Sequence, residues 1–418
     1  MSSSSSPTAV PEGAAVLRPP RSRGAIALLV LVLGVLTATG PLATDMYLPA
    51  FPQITEELGA SEAQIGLTLT AIMLGLAVGQ LVIGPMSDAW GRRRPLLVGV
   101  SLFTVTSVLC VFVPDVTAFI VLRFVQGVAG AAGAVIARAV VRDMFQGDDA
   151  VRFFSRLALV MMLAPLLAPL VGAQLLLVGP WQLSFWVLAA MSALSLVLVA
   201  LWLPESLPVE ARRAQGPRVL LATVGSLVRD RRFMGPVLSL GLSFGMLFTY
   251  VSAFSFVSQN EFGVSPQTYG WLFAVNALAS MLGTQGNGLL VGRVDTRRRL
   301  AAGLSVALFS VVALLVVALV GVAQLWSVSA LLALMMFSVG FIMPNATVTA
   351  LDGQPASVAG TASALMGSLQ FALGGSVAAL AGLTPSGEAS LVSMAVVMAS
   401  VAVLSLGAFV WGSRVRVV

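Results

Sequence analysis

The sequence predicts an all-α membrane protein of twelve transmembrane helices in two six-helix bundles, with both termini on the cytoplasmic side. Three observations carry this prediction. Of the 418 residues, 58% are hydrophobic and only 10% are charged, against roughly 25% charged in an ordinary soluble domain. The apolar residues fall into twelve runs of about 18 or more, the length that crosses the hydrocarbon of a bilayer. The arginines are segregated between alternate loops, and their placement in the first half is echoed in the second.

The elements follow in order. Residues 1–23 are rich in Ser and Pro, have too little apolar surface to bury, and read as a disordered cytoplasmic tail. The first apolar run, 25–48, is too long for a signal-peptide core and no convincing small-residue cleavage site follows it, so it reads as a retained helix. Further spans fall near 63–83, 95–113, 117–137, 154–178 and 181–203, which completes a first bundle over 24–203. A polar stretch, 204–232, reads as a cytoplasmic central loop. The second bundle, 233–412, has spans near 234–258, 267–290, 300–320, 325–350, 357–381 and 390–411, and 413–418 is a cytoplasmic tail.

Orientation follows from charge, because Arg is retained on the cytoplasmic side of short loops. With the N-terminus inside, 22 of the 23 arginines fall on cytoplasmic segments, while Glu56, Glu57, Asp115, Glu261 and Glu388 mark the opposite loops. Arg92 to Arg94 follows the second span and Arg297 to Arg299 follows the eighth, an offset of 297 − 92 = 205 residues. That offset suggests a duplicated six-helix unit, and paired bundles with a site at their interface are a transporter architecture. Composition alone also allows a receptor or an intramembrane enzyme.

Much chemistry is excluded. The chain has no His, no Lys and one Cys, Cys110, so catalytic imidazoles, Schiff bases, structural disulfides and thiolate or imidazole metal sites are not expected. No catalytic residue and no metal ligand is assigned. A P-loop would need the Lys that is lacking. The net charge of +6 is spread along the loops instead of forming a patch for nucleic acid. The expected partners are a lipid bilayer and a small-molecule substrate, on a monomer placed in the cell membrane.

The loop after the second span reads Gly84-Pro85-Met86-Ser87-Asp88-Ala89-Trp90-Gly91-Arg92-Arg93-Arg94. Gly91 permits a tight turn, Asp88 can face a helix N-terminus, and the arginines pin the loop to one side. Gly84, Asp88, Gly91, Arg92 and Arg93 are therefore candidates for a gating latch, the alternative being a simple charge staple. In the fourth span, Arg123-Phe124-Val125-Gln126-Gly127 places a guanidinium where lipid is costly. The other charge well inside a span is Asp45. Each lies about seven residues from the same membrane face, or about 10 Å of helix, so the two can meet across the first bundle.

The loop resembles the signature of the major facilitator superfamily, with Ala89 where an Arg is usual, and the Arg123 stretch resembles a second motif of that family. Thr44-Asp45-Met46-Tyr47-Leu48-Pro49, Ala139-Val140-Val141-Arg142-Asp143, Leu203-Pro204-Glu205-Ser206, Met343-Pro344-Asn345-Ala346 and Gly360-Thr361-Ala362-Ser363-Ala364 are similar to stretches of its bicyclomycin and chloramphenicol resistance (Bcr/CflA) drug:proton antiporters. The resemblance implies the major facilitator fold and proton-coupled efflux of small, moderately apolar drugs or metabolites by alternating access. Protons are the coupling ion and no other cofactor is implied. Uptake symport of a metabolite on the same fold is the alternative.

Within that frame Asp45 and Arg123 are the proton-coupling candidates, because desolvation and a nearby cation act on a carboxylate in opposite directions. The alternative is a permanent pair that only joins helices. In the fifth span, Ala164, Pro165, Ala168, Pro169 and Gly172 look like a variant of the family's antiporter motif, with alanines replacing glycines; an ordinary kinked helix reads equally well. Tyr47, Met161, Met162, Phe244, Phe248, Tyr250, Asn276, Asn345, Gln370 and Phe371 are candidate substrate contacts, since flexible Met and flat aromatics accept varied ligands. Packing and interhelical hydrogen bonding are the competing roles for each.

Overall fold

The computed structural model describes residues 23–212, 217–355, 358–382, 384 and 387–413. The two tails expected at 1–23 and 413–418 lie almost wholly outside them. The first half holds α1 (Arg23–Asp45), a 3-10 turn (Leu48–Ala50), α2 (Phe51–Glu57), α3 (Glu62–Trp90), α4 (Arg93–Val111), α5 (Val116–Met144), α6 (Gly147–Val178) and α7 (Gln182–Trp202). The second holds α8 (Pro217–Arg229), α9 (Arg231–Phe256) with a π-helical turn (Val257–Glu261), α10 (Pro266–Leu289), α11 (Thr296–Val320), α12 (Leu325–Leu351), α13 (Ala359–Ala378) and α14 (Leu391–Ser413).

Each of the twelve apolar runs is a helix, but eleven segments are long and apolar enough to cross a membrane. The shortfall is α10. Its outward stripe, Trp271, Val275, Leu278 and Leu282, is exposed and apolar, whereas Asn276 and Asn287 on its inner side are buried. A helix that shows polar groups to its neighbours loses mean hydropathy without losing an apolar face. Elsewhere large apolar side chains stand exposed on α4, α7, α11 and α14, among them Val105, Leu194, Phe309 and Leu404. Such faces need hydrocarbon around them.

The helices overrun the apolar spans. The second span was expected to end near 83, yet α3 continues to Trp90; α5 continues to Met144 and α6 begins at Gly147. Hydropathy marks what lies in hydrocarbon, while the backbone ladder continues until a residue breaks it. Gly91, at φ +89°, is such a break. The stretch 204–232 is likewise not all loop: α8 forms within it and buries Leu227 against the second half.

Small residues set the packing, and they do so twice. A Cβ on Gly75 would meet the Phe124 carbonyl at 2.2 Å and one on Gly127 the Ile72 carbonyl at 2.1 Å, so α3 and α5 touch backbone to backbone. In the second half Gly283 against Phe337 O (2.0 Å) and Gly340 against Ser280 O (2.4 Å) join α10 and α12 in the same way. The duplicated pattern read from the arginines thus recurs in the helix contacts.

The halves meet at one end. That end, which carries Glu56, Glu57, Asp115, Glu261 and Glu388, is called here the acidic end, and the opposite one the arginine end. At the acidic end Glu62 accepts hydrogen bonds from Asn260 Nδ2 (2.6 Å) and Ala389 N (2.7 Å), and Ala63 N donates to Gly387 O (3.1 Å). Ser255 Oγ donates to Leu48 O (2.5 Å), Gln267 Nε2 to Ala173 O (3.0 Å), and the rings of Phe51 and Phe256 lie 5.3 Å apart. Deeper contacts follow α3 and α13: Thr70 to Gly375 O (2.9 Å) and Ser368 to Ala77 O (2.9 Å). One buried apolar cluster spans both halves here, including Tyr47, Ile54, Phe254 and Tyr269. The arginine end of the first half has its own, built on Leu33, Ile83, Ile136 and Phe153.

Candidate functional site

Asp45 closes α1, and its position follows from what its helix meets. The chain leaves α1 through Met46, whose carbonyl lies 1.7 Å from where a Cβ on Gly172 of α6 would stand. Only glycine admits so close an approach, and it draws the end of α1 toward the seam between the halves. Asp45 is 5% exposed and its Oδ1 has no hydrogen-bond partner among the described residues. A buried polar atom without a partner is costly, of the order of 1–3 kcal/mol.

Arg123 sits in the first half, fully buried. Its Nη2 donates to the Ala43 carbonyl (2.6 Å) and its Nη1 to Gln126 Oε1 (2.5 Å), while Gln126 Nε2 donates to Ser107 Oγ (2.7 Å). The guanidinium lies over the Tyr47 ring at 4.3 Å and near that of Phe185 at 5.4 Å. No ion pair joins it to Asp45 among the described residues, although its charge is within electrostatic reach of the carboxylate. The two are neighbours without being a fixed pair: Arg123 holds the carbonyl two residues before Asp45 and makes no bond to the carboxylate, which Thr44 reaches by a side-chain hydrogen bond.

Residues of the second half also come within electrostatic reach of Asp45. Tyr250 of α9 and Tyr269 of α10 are fully buried and within electrostatic reach of the carboxylate. Tyr250 accepts a hydrogen bond from Asn276 Nδ2 (2.8 Å) and stacks on Phe273 at 5.7 Å. Tyr269 Oη and Asn276 Oδ1 have no partner among the described residues. Tyr250 and Asn276 are among the candidate contacts legible in the sequence, and Tyr269 is not. Its signal was weak, an aromatic three residues into a helix, where packing is the ordinary role.

The loop after α3 is tied down within the first half. Arg92 is 4% exposed; it donates to Asp143 Oδ2 (2.9 Å) and Ser87 Oγ (2.8 Å) and pairs with Asp88. Glu205 accepts from the backbone of Arg92 (2.7 Å), Arg93 (3.2 Å) and Leu207 (3.0 Å), and a Cβ at Gly91 would collide with it at 2.4 Å. Arg93 donates to the Ala200 carbonyl (2.5 Å), and Ser206 donates to Asp143 (3.2 Å). Gly84 packs beside Val135. The partners Asp143, Glu205 and Ser206 come from two of the stretches that carried the resemblance, but their convergence here was not read from them. In the second half the buried arginine at the start of α11, Arg299, uses neutral partners: it donates to Asn287 Oδ1 (2.9 Å), which also accepts from Asn345 (2.7 Å).

On α6, Ala164 and Ala168 are buried, Pro165 and Pro169 lie inside the helix, and Gly172 and Ala173 form a narrow face. A Cβ on Gly270 of α10 would sit 3.2 Å from Ala173 and 3.3 Å from the Pro169 carbonyl. This face therefore packs against α1 on one side and the second half on the other.

The substrate candidates divide. Tyr47 is core: it hydrogen-bonds Thr68 (2.9 Å) and stacks edge-on to Phe51, Phe119 and Phe185. Asn345 belongs to the Arg299 network, and Met161 is 45% exposed. Met162 is half-buried beside it. Phe244, Phe248 and Phe371 gather at the seam, with centroids 4.7 and 5.3 Å apart, and Gln370 reaches the Met343 sulfur at 4.0 Å.

Comparison with known proteins agrees with this architecture. The model of the Major Facilitator Superfamily matches residues 26–379. The chain is 38% identical over 391 residues to an uncharacterized MFS-type transporter, YdgK, of Bacillus subtilis, covering 93% of this chain and 96% of that one. It is 33% identical to a bicyclomycin resistance protein homolog of Haemophilus influenzae (83% and 87% covered) and 30% identical to multidrug resistance protein D of Escherichia coli (89% and 92%). Among solved structures the nucleoside transporter NupG superposes with a TM-score of 0.74 at 12% identity, covering 92% and 100%. A bacterial Spinster homologue superposes with 0.72 at 16%, covering 94% and 98%. A family match over residues 26–379, relatives that are transporters and a shared all-helical fold make this multi-pass membrane chain a transporter, not an enzyme, and a member of the Major Facilitator Superfamily.

Proposed function

We propose that the chain exports small, moderately apolar drugs or metabolites in exchange for protons, by alternating access between its two halves. The observation that carries this is Asp45: a buried carboxylate with an unpartnered oxygen, on the first half, at the seam with the second. Such a group binds or loses a proton as its surroundings change, and the seam is what changes when bundles rock. The relatives named for bicyclomycin and multidrug resistance support export, as does the narrow face of α6 that closes against α10. The aromatic group Phe244, Phe248 and Phe371 supplies an apolar wall for the substrate.

In this reading twelve helices cross the cell membrane, α10 included, with 24–203 and 233–412 as the bundles. The arginine end is cytoplasmic, so both termini are too, and the transporter works as a monomer. The closed acidic end then makes this the inward-facing conformation. Arg123 positions the end of α1 through Ala43 and balances the ionised Asp45. The Arg92–Asp88–Asp143–Glu205 cluster keeps the first bundle rigid as it moves.

The test is Asp45→Asn in everted vesicles of a host lacking its own pumps, assayed with a drug panel. Accumulation driven by an acidic lumen in the wild type, abolished in the variant and by a protonophore, is the expected result. Undiminished gradient-driven accumulation in the variant removes Asp45 from the mechanism, and proton-driven loss of drug from wild-type vesicles replaces export with uptake.

A further inference from the structure

The outer face of α14 is not smooth. Val403, Leu406, Gly407, Val410 and Trp411 line an open groove of about 420 Å³ toward the arginine end, and Val403, Val410 and Trp411 are exposed. Gly407 stands at its middle. A Cβ there would meet nothing within 4 Å, and its φ is not positive, so neither close packing nor a turn calls for glycine at a place where it weakens the helix. Five residues on, Gly412 has the packing reason that Gly407 lacks: a Cβ on it would lie 2.9 Å from the Gly235 Cα of α9.

That backbone contact brings the start of α9 beside the end of α14. A Cβ on Gly412 would stand 3.2 Å from the Arg231 carbonyl oxygen, and the Arg231 guanidinium lies over the Trp411 ring at 5.5 Å. Trp411 therefore belongs both to the groove and to the cation. Arg231 is exposed and pairs with no carboxylate among the described residues. The carboxylate next to it in sequence, Asp230, accepts from other donors, Arg232 N (2.9 Å) and Gln354 Nε2 (3.2 Å). Arg229 and Arg232 add positive charge within two residues of it.

We infer that this is a seat for an anionic phospholipid, with the phosphate bonded by Arg231 and one acyl chain laid along Trp411, Gly407 and Val403. Charge, shape and depth select that occupant. A guanidinium offers a planar fork of donors that matches phosphate oxygens, and Trp is the side chain that collects at the membrane interface, where headgroups lie. α14 is long and apolar enough to cross a membrane, so its outer face meets lipid. From Trp411 to Val403 the groove follows eight residues, or about 12 Å of helix, and it runs inward from the charged end, as a lipid's chains run from its headgroup. A zwitterionic lipid has the same phosphate but also an ammonium that the three arginines repel, so net negative charge is preferred. The inference stands on the membrane span of α14 and is independent of the role of Asp45.

The measurement is quenching of Trp411 fluorescence in purified full-length protein reconstituted in phosphatidylcholine vesicles that contain rising fractions of brominated phosphatidylglycerol or brominated phosphatidylcholine. The Trp411 signal is the difference between the wild type and Trp411→Phe. Half-quenching is expected at about a fivefold lower fraction of the glycerol lipid than of the choline lipid, with the preference shrinking as salt is raised. Arg231→Gln should remove most of that preference. Equal quenching by the two lipids in the wild type means ordinary boundary lipid only and overturns the inference, as does a preference undiminished in Arg231→Gln. Should Arg231→Gln not yield folded protein, Gly407→Leu decides: it fills the groove at an exposed position without a clash, and the half-quenching fraction of the glycerol lipid should rise toward that of the choline lipid. No rise in that variant refutes the seat.

Discussion

Gly172→Ala isolates the contact on which the site is hung. The added Cβ would lie 1.7 Å from the Met46 carbonyl oxygen, while ordinary contact begins at 3.4 Å, so α1 and α6 must part by up to 3.4 − 1.7 = 1.7 Å. The obstacle is backbone, which cannot swing aside as a side chain does. Overpacking of this kind costs about 1–3 kcal/mol, and the displacement falls on the residue next to Asp45. Gly40→Ala in α1 is the control: nothing lies within 4 Å of its Cβ position, and the change is expected to gain about 0.5–1 kcal/mol through helix propensity. Thermal unfolding in detergent and gradient-driven drug accumulation are read on both variants. Gly172→Ala should lower the midpoint and the transport rate while Gly40→Ala lowers neither. A Gly172→Ala protein as stable and as active as the wild type would refute the backbone contact and the placement of Asp45 built on it.

Other expectations follow from the same structure. Glu205→Ala leaves the first amides of α4 without an acceptor; the group is 28% exposed on its side chain, so the loss is discounted to about 1–2 kcal/mol, checked by the unfolding midpoint. Glu205→Gln should fall between, because one of its two termini is a donor. Glu62→Ala removes both hydrogen bonds that Glu62 accepts across the acidic end, from Asn260 and Ala389; spin labels placed across that end should report longer distances, and an unchanged distribution would mean the apolar seam alone holds it shut. Arg123→Lys keeps the charge but cannot reach both Ala43 O and Gln126 Oε1 with a planar fork, so transport should fall with the protein still folded, and a fully active variant would show that charge alone suffices.

How much of the site was legible depended on the kind of signal. Asp45 and Arg123 were visible because charge in an apolar run is rare and costly, but the absence of an ion pair between them was not, since spacing along two helices fixes depth and not direction. Arg92 was visible for its charge, whereas Glu205, Asp143 and Ser206 lay 51 to 114 residues away in sequence (143 − 92 = 51 and 206 − 92 = 114) and joined it only on folding. Asn345 read equally well as a substrate anchor or as interhelical glue, and its bond to Asn287 gives it the second role. Tyr269 carried no mark at all, being an aromatic among 24 Phe and Tyr.

The sequence by itself determined the membrane class, the apolar spans, the repeat between the halves and the residues too polar for their setting, because each is a matter of local composition and of the energy of placing a group in hydrocarbon. Tertiary structure alone decided which faces of those helices meet, that the halves close at the acidic end, and that Arg123 bonds the Ala43 carbonyl and makes no ion pair with Asp45. The reason is physical: rotation of a helix about its axis is set by close contacts such as Gly172 on Met46 and Gly270 on Ala173, which pair residues far apart along the chain.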